Sequence, residues 1–195
     1  MELLSSAVHE AILNFQETLS LEDAGVYKKP QITAEDEALN AELAAWNKYV
    51  QTSITYRFGS KSEILDGEKI HTWLVSDGQG GVSLDETKIA KYVSWLAQNY
   101  NTAYKPKTFQ TSYGQSVTIS KSVYGWKINQ AAETDALVAA VKACQPTERE
   151  PIYESRGATN DGYEFGQTYI EVALATQHIY LYKDGKVIID SQFAS

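Results

Sequence analysis

One cysteine, one methionine, four prolines and three histidines are spread over 195 residues. A lone cysteine forms no disulfide within its own chain. His9, His71 and His178 stand far apart, and no His-x-x-x-His or Cys-x-x-Cys spacing offers zinc a site, so neither a metal nor a cofactor is expected. No run of eighteen apolar residues occurs, which excludes a membrane-spanning helix. The opening stretch MELLSSAVHEAILNF lacks a basic region and a cleavage site, so no signal peptide is predicted; any membrane anchor is expected outside this chain. Basic clusters are missing too. With 17 basic against 25 acidic residues the formal charge is −8, which argues against nucleic acid as a partner and against docking on anionic polymers or lipid headgroups by bulk charge.

What is present is globular chemistry, 43% hydrophobic and 22% charged residues, rich enough in apolar side chains to build a core. Leu4, Val8, Ala11, Ile12 and Phe15 recur at helical spacing and predict a first helix, followed by an extended segment that Pro30 ends. Thr33 is the expected N-cap of a second helix. Acidic residues 35–37 suit its first turn, and Leu39, Leu43, Trp46 and Val50 form a stripe expected to face the core. Residues 53–58 and 62–65 read as a hairpin around Gly59-Ser60, and 68–74 as a short helix turning Ile70, Trp73 and Leu74 inward. Asp77-Gly78-Gln79-Gly80-Gly81 lacks the repeated acidic ligands of a calcium loop and the Gly-Lys-Ser/Thr ending of a phosphate loop, so a plain turn is expected. A helix starting at Ser83 or Asp85 carries Ile89, Tyr92, Val93, Leu96 and Tyr100 on one face. A second hairpin (109–113 and 116–120) turns at Gly114, a strand covers 124–128, and a last helix buries Leu137, Val138, Val141 and Cys144 before Pro146 stops it. Helices interspersed with hairpins, without strand–helix alternation, define an α+β class with helices packed on antiparallel hairpins.

Composition changes at residues 146–167, where prolines, glycines and mixed charges follow no period, as in an interdomain connection. Beyond it, Tyr169, Glu171 and Ala173 alternate with Ile170, Val172 and Leu174. A second β-rich run at 179–182 leads through Lys183-Asp184-Gly185-Lys186 into Val187, Ile188 and Ile189. Asp-Gly between such runs predicts a type I′ hairpin turn, because both residues tolerate positive φ. The expected organisation is an α+β domain over 1–150, a connection over 151–167, and over 168–195 a hairpin from the start of a second, incomplete domain.

The 168–193 stretch, with Gln177-His178 before its aromatic-rich strand and the Lys-Asp-Gly-Lys turn after it, resembles the opening of the catalytic domain of an L,D-transpeptidase of the YkuD type. Residues 18 to about 150 are similar to the peptidoglycan-binding domain that precedes it in Gram-positive members, through Ser20-Leu21-Glu22-Asp23-Ala24-Gly25-Val26-Tyr27-Lys28-Lys29-Pro30, Thr108-Phe109-Gln110-Thr111-Ser112-Tyr113-Gly114 and Tyr124-Gly125-Trp126-Lys127-Ile128. The family's catalytic centre is a cysteine in a Ser-His-Gly-Cys motif with a second histidine upstream, and these 195 residues contain no such motif. The resemblance therefore implies a non-catalytic module, with peptidoglycan and the remaining catalytic domain as partners and the cell wall or cell surface as its location.

Thirteen tyrosines and four tryptophans supply rings for stacking on sugars. Phe109 and Tyr113 fall on one face of their strand, as do Tyr124 and Trp126, and together they are the candidate ligand-binding platform, with core packing as the competing reading. Gly125 between the last two leaves room for a ligand or for packed backbone. Cys144, at the end of an apolar helix face, is expected to be structural, and His178 a sheet-surface or packing residue. Two functions compete: a peptidoglycan-binding or substrate-positioning module, and a spacer that holds a catalytic domain off the membrane without binding glycan. The open strand edge and apolar residues of 168–195 also predict docking on the first domain or self-association.

Overall fold

A computed structural model describes residues 2–27 and 33–194; the expected stop at Pro30, with Lys28 and Lys29, lies outside the described residues. Compact units fall on either side of residue 40, Met1–Asn40 and Ala41–Ser195. In the first, α1 (Glu2–Leu13) buries only Ala11. Phe15, expected on the helix, instead ends it in left-handed backbone (φ 51°) and is almost fully exposed.

Helix α2 (Glu37–Val50) is capped by Asp36, whose carboxylate accepts the Leu39 N–H at 2.9 Å, and not by Thr33. Its apolar stripe departs from expectation. Leu39 and Leu43 are about half exposed (49% and 56%), and no α2 side chain is fully buried. Helical periodicity reports that a face is apolar; what covers that face is decided by tertiary structure.

The second unit is organised around β1 (Ile54–Phe58), paired antiparallel with β2 (Lys61–Leu65) through the expected Gly59-Ser60 turn. Ile54, Tyr56 and Phe58 alternate inward and join Leu65 in the core. Ile70 in α3 (Gly67–His71) and Trp73 and Leu74 after it are buried as expected. Strands β3 (Leu74–Ser76) and β4 (Val82–Leu84) form a hairpin over the glycine-rich turn. There the Asp77 carboxylate accepts the N–H groups of Gln79 and Gly81, which hold it below the usual carboxylate range. Asp85 caps α4 (Glu86–Tyr100) through the N–H groups of Thr87 and Lys88, and α4 buries Ile89, Tyr92, Val93 and Leu96 as its spacing requires.

The β5 (Lys107–Gln110) and β6 (Ser116–Ile119) hairpin follows, then the short β7 (Lys127–Ile128) and α5 (Gln130–Ala143), capped by Asn129 and buried through Leu137, Val138 and Val141. Cys144, expected on the buried face of this helix, is instead its left-handed C-cap (φ 51°) and only half-buried, its thiol directed at the Val141 carbonyl. Two helices, α4 and α5, thus pack on the sheet formed by β2, β1 and β8 (Thr147–Arg149). The β1–β8 pairing is parallel, unlike the all-hairpin pairing expected, and Arg57 on β1 reaches Glu148 on β8 at 2.7 Å.

The glycine- and proline-rich stretch after β8 lies against this body. β9 (Tyr153–Ser155) pairs with β7, Pro151 is buried, and Trp126 Nε1 donates to the Thr159 carbonyl at 2.9 Å. Turn-forming composition here marks irregular but packed backbone. The last strands, β10 (Tyr169–Ala173), β11 (His178–Lys183) and β12 (Lys186–Gln192), form a three-stranded antiparallel meander where a hairpin was expected. Asp184 and Gly185 both have positive φ (50° and 75°), the type I′ geometry anticipated from their sequence.

Candidate functional site

Of the four aromatic residues singled out by sequence, two share a neighbour. Tyr124 stacks on Phe165 (ring centroids 5.4 Å apart, 12° between planes), and Phe109 meets the same Phe165 edge-on at 5.5 Å. Tyr163 and Tyr169 complete the group around Phe109. Trp126 turns the other way. It is buried edge-on against Tyr153 (4.7 Å), with the Arg156 guanidinium over its ring. Tyr113, at the tip of the β5–β6 hairpin, is partly exposed. Alternation along a strand cannot reveal this, because the residues that fill the space between Phe109 and Tyr124 come from the stretch around Phe165, which carries no period of its own.

Gly125 is placed by packing. At φ 130°, a Cβ there would stand 2.7 Å from Thr102 Oγ1 and 2.8 Å from the Ala103 nitrogen. The Glu164 carboxylate fits beside it, accepting from the Thr102 hydroxyl and from the Trp126 N–H, and forms a 3.1 Å ion pair with the buried Lys107. Lys107 also donates to the Thr102 carbonyl. This polar knot fastens the stretch after β9 to the β5 strand.

A similar knot joins the terminal sheet to the same hairpin. Buried Glu171 on β10 accepts the backbone N–H of Ser112 at 3.0 Å and its hydroxyl at 2.5 Å, and Ser112 Oγ lies 2.9 Å from the Tyr182 hydroxyl. His178 stacks on Tyr180 and pairs with Asp190 across the β11–β12 ladder, a sheet-surface residue as its position implied.

A larger aromatic-walled cleft lies elsewhere. Between β2, α3 and α4 is a cleft of about 520 Å³. Its aromatic wall is a relay of three rings: buried Trp73 against Tyr92 at 5.5 Å, and Tyr92 stacked on Trp95 at 5.7 Å and 19°. Trp95 is 41% exposed. Lys69, Lys88 and Lys91 also line the cleft, gathering positive charge locally on an acidic chain. Lys88 is engaged by the Thr72 carbonyl at 2.7 Å and by Asp85 at 3.9 Å. The sequence signal for this cleft is Trp95 itself, a large ring one position off the buried face of α4. Among the described residues no group of three or more His, Cys, Asp or Glu side chains is arranged to hold a metal ion.

The body is a small α+β fold with an aromatic, lysine-lined cleft and a β-meander fastened to its β5–β6 hairpin. Residues 32–150, more than half of the chain, match the family model described as "Putative peptidoglycan binding domain", and the chain belongs to that family. Two solved structures resemble it over most of its length at 34% identity. One is the carbamoyl enzyme of Ldtfm with avibactam (TM-score 0.61, covering 79% of this chain and 60% of that one). The other is the C442S mutant of the Enterococcus faecium L,D-transpeptidase (TM-score 0.60, 77% and 60%). The chain thus spans 60% of the length of these transpeptidase chains. No curated protein gives a significant match.

Proposed function

We propose that this chain is a non-catalytic peptidoglycan-binding or substrate-positioning module of an extracellular, cell-wall L,D-transpeptidase of the YkuD type. The observation that carries the proposal is the family match over 32–150, within which the described fold is continuous from α2 to α5. The transpeptidase neighbours supply the parent activity, and the β10–β12 meander is the part of this chain that would begin the catalytic domain. Nucleophilic catalysis needs a thiolate beside a base. The described hydrogen bond of the Cys144 thiol is to a backbone carbonyl at the end of α5 and not to a side-chain base.

Co-sedimentation with purified peptidoglycan sacculi tests the reading. Retention of the chain on sacculi stripped of teichoic acid supports it. Failure to sediment would overturn it in favour of a spacer that binds no glycan.

A further inference from the structure

We infer that the cleft between β2, α3 and α4 is the ligand site of this module, taking an N-acetylated amino-sugar ring on the exposed face of Trp95 and a stem-peptide carboxylate at Lys69 and Lys91. The inference rests on the peptidoglycan-binding reading and assigns its location and chemistry.

The first support is geometric. A pyranose presents a flat face of C–H groups, and an aromatic ring held still from behind receives such a face with little loss of conformational freedom. Trp95 is held in that way by Tyr92, and Tyr92 by Trp73, which is only 2% exposed. The cleft's volume of about 520 Å³ lies within the range of small-ligand sites. The Phe109–Tyr124–Phe165 group packs its rings on one another, and Phe109 and Phe165 line a smaller hollow of about 260 Å³, below the usual range of small-ligand sites.

The second support is electrostatic. The ammonium groups of Lys69 and Lys91 make no ion pair or hydrogen bond among the described residues, although the chain has an excess of carboxylates. Two unengaged cations beside a stacking ring match a carboxylate carried on a sugar-linked peptide. Glu63 also lines the cleft and accepts the Tyr100 hydroxyl at 2.8 Å, so the wall offers an acceptor for sugar hydroxyls and disfavours a polyphosphate.

The test titrates the wild-type chain, Trp95→Ala and the double variant Lys69→Gln/Lys91→Gln with three probes, following tryptophan fluorescence and heat. The probes are disaccharide-peptides released from sacculi, the same fragments with amidated carboxylates, and a peptide-free N-acetylglucosamine tetramer. Trp95→Ala should weaken binding of all three roughly tenfold or more, as expected for an aromatic anchor. The lysine variant should weaken only the carboxylate-bearing fragments, by about threefold to tenfold. Because both lysines are exposed, that variant keeps its fold even if Trp95→Ala does not, which thermal melts will show.

Wild-type protein that sediments with sacculi alongside two folded variants that sediment equally well would place binding elsewhere and overturn the inference while leaving the module reading intact. Equal lysine dependence for amidated and free fragments overturns the carboxylate assignment. Binding to teichoic acid but not to teichoic-free fragments overturns the ligand class. A wild-type chain that binds no probe and no sacculus removes the module reading itself.

Discussion

The Tyr56 hydroxyl donates a 2.6 Å hydrogen bond to Glu133 inside the core, joining residues 77 positions apart on β1 and α5. Glu133 is fully buried, and burial pushes its carboxyl upward against three donors: Tyr56, the Ile152 N–H at 2.7 Å and the Arg149 guanidinium at 2.9 Å. One carboxylate therefore ties together the central strand, the last helix, β8 and the segment leading to β9. Glu133→Ala would strand those donors, and the expected loss is roughly 3–5 kcal/mol. Denaturant melts check it; a loss under about 1 kcal/mol would show that water replaces the carboxylate freely.

Alkaline pH should unfold the protein through its buried phenols. Burial raises the pKa of Tyr56, with Glu133 adding to it, and that of Tyr92, and it pushes the Tyr153 phenol up to about 12. Above the ordinary phenol value near 10 the unfolded chain releases these protons before the folded chain does. The stability they contribute is fully present below about pH 10 and is lost as pH rises through the raised values. A phenolate absorbance titration of the thirteen tyrosines should show a late group ionising together with loss of ellipticity. Smooth ionisation of all of them without unfolding would contradict this.

Much of the body was legible because local rules governed it. The α4 stripe and its start at Asp85, the Gly59-Ser60 turn and the Asp184-Gly185 turn each rest on residues a few positions apart, whereas the expected Thr33 cap gave way to Asp36. Three features were not legible for a common reason. The parallel β1–β8 pairing, the seat of Glu164 against Thr102 and Lys107, and the ring that joins Phe109 to Tyr124 each couple residues 40 or more positions apart. No period spans that distance. The candidate platform was drawn from strand alternation, which gives a face but not its occupants; the cleft at Trp95 needed α3 and α4 brought together in space.

Two tryptophans separate buried from apparent core. Trp73 is 2% exposed, so Trp73→Ala should cost roughly 3–5 kcal/mol through lost burial and a cavity. Trp46 was expected to match it, yet it is half-buried on a helix that buries no residue fully, with its indole N–H on Glu42 at 3.2 Å. Trp46→Ala should cost about 1–2 kcal/mol. Equal effects in a denaturant melt would mean that α2 is covered more deeply in solution.

Cys144 should be inert toward inhibitors that acylate a catalytic cysteine. It sits at the end of α5, where its thiol hydrogen-bonds the Val141 carbonyl and, among the described residues, no side-chain base. Intact-mass measurement after incubation with a carbapenem should show no adduct. A stoichiometric adduct on Cys144 would contradict the non-catalytic reading.

Shortening the chain distinguishes the segment that completes the body from the segment that docks on it. Ending at Gln167 removes the β10–β12 meander and the Glu171–Ser112 contact, and leaves in place the Trp126–Thr159 bond, the Lys107–Glu164 pair and the β7–β9 pairing. Ending at Glu150 strips all of these, together with the Ile152 donor to buried Glu133. The 167-residue chain should therefore melt close to the full one, while the 150-residue chain should melt clearly lower or fail to fold. The meander's β12 edge and its exposed Ile170, Val172 and Leu174 invite pairing with a second copy, so the 167-residue chain should also be the more strictly monomeric in sedimentation. If the 150-residue chain instead melts like the full protein, residues 151–167 are a dispensable connection, and their contacts with Trp126 and Lys107 contribute little to the fold.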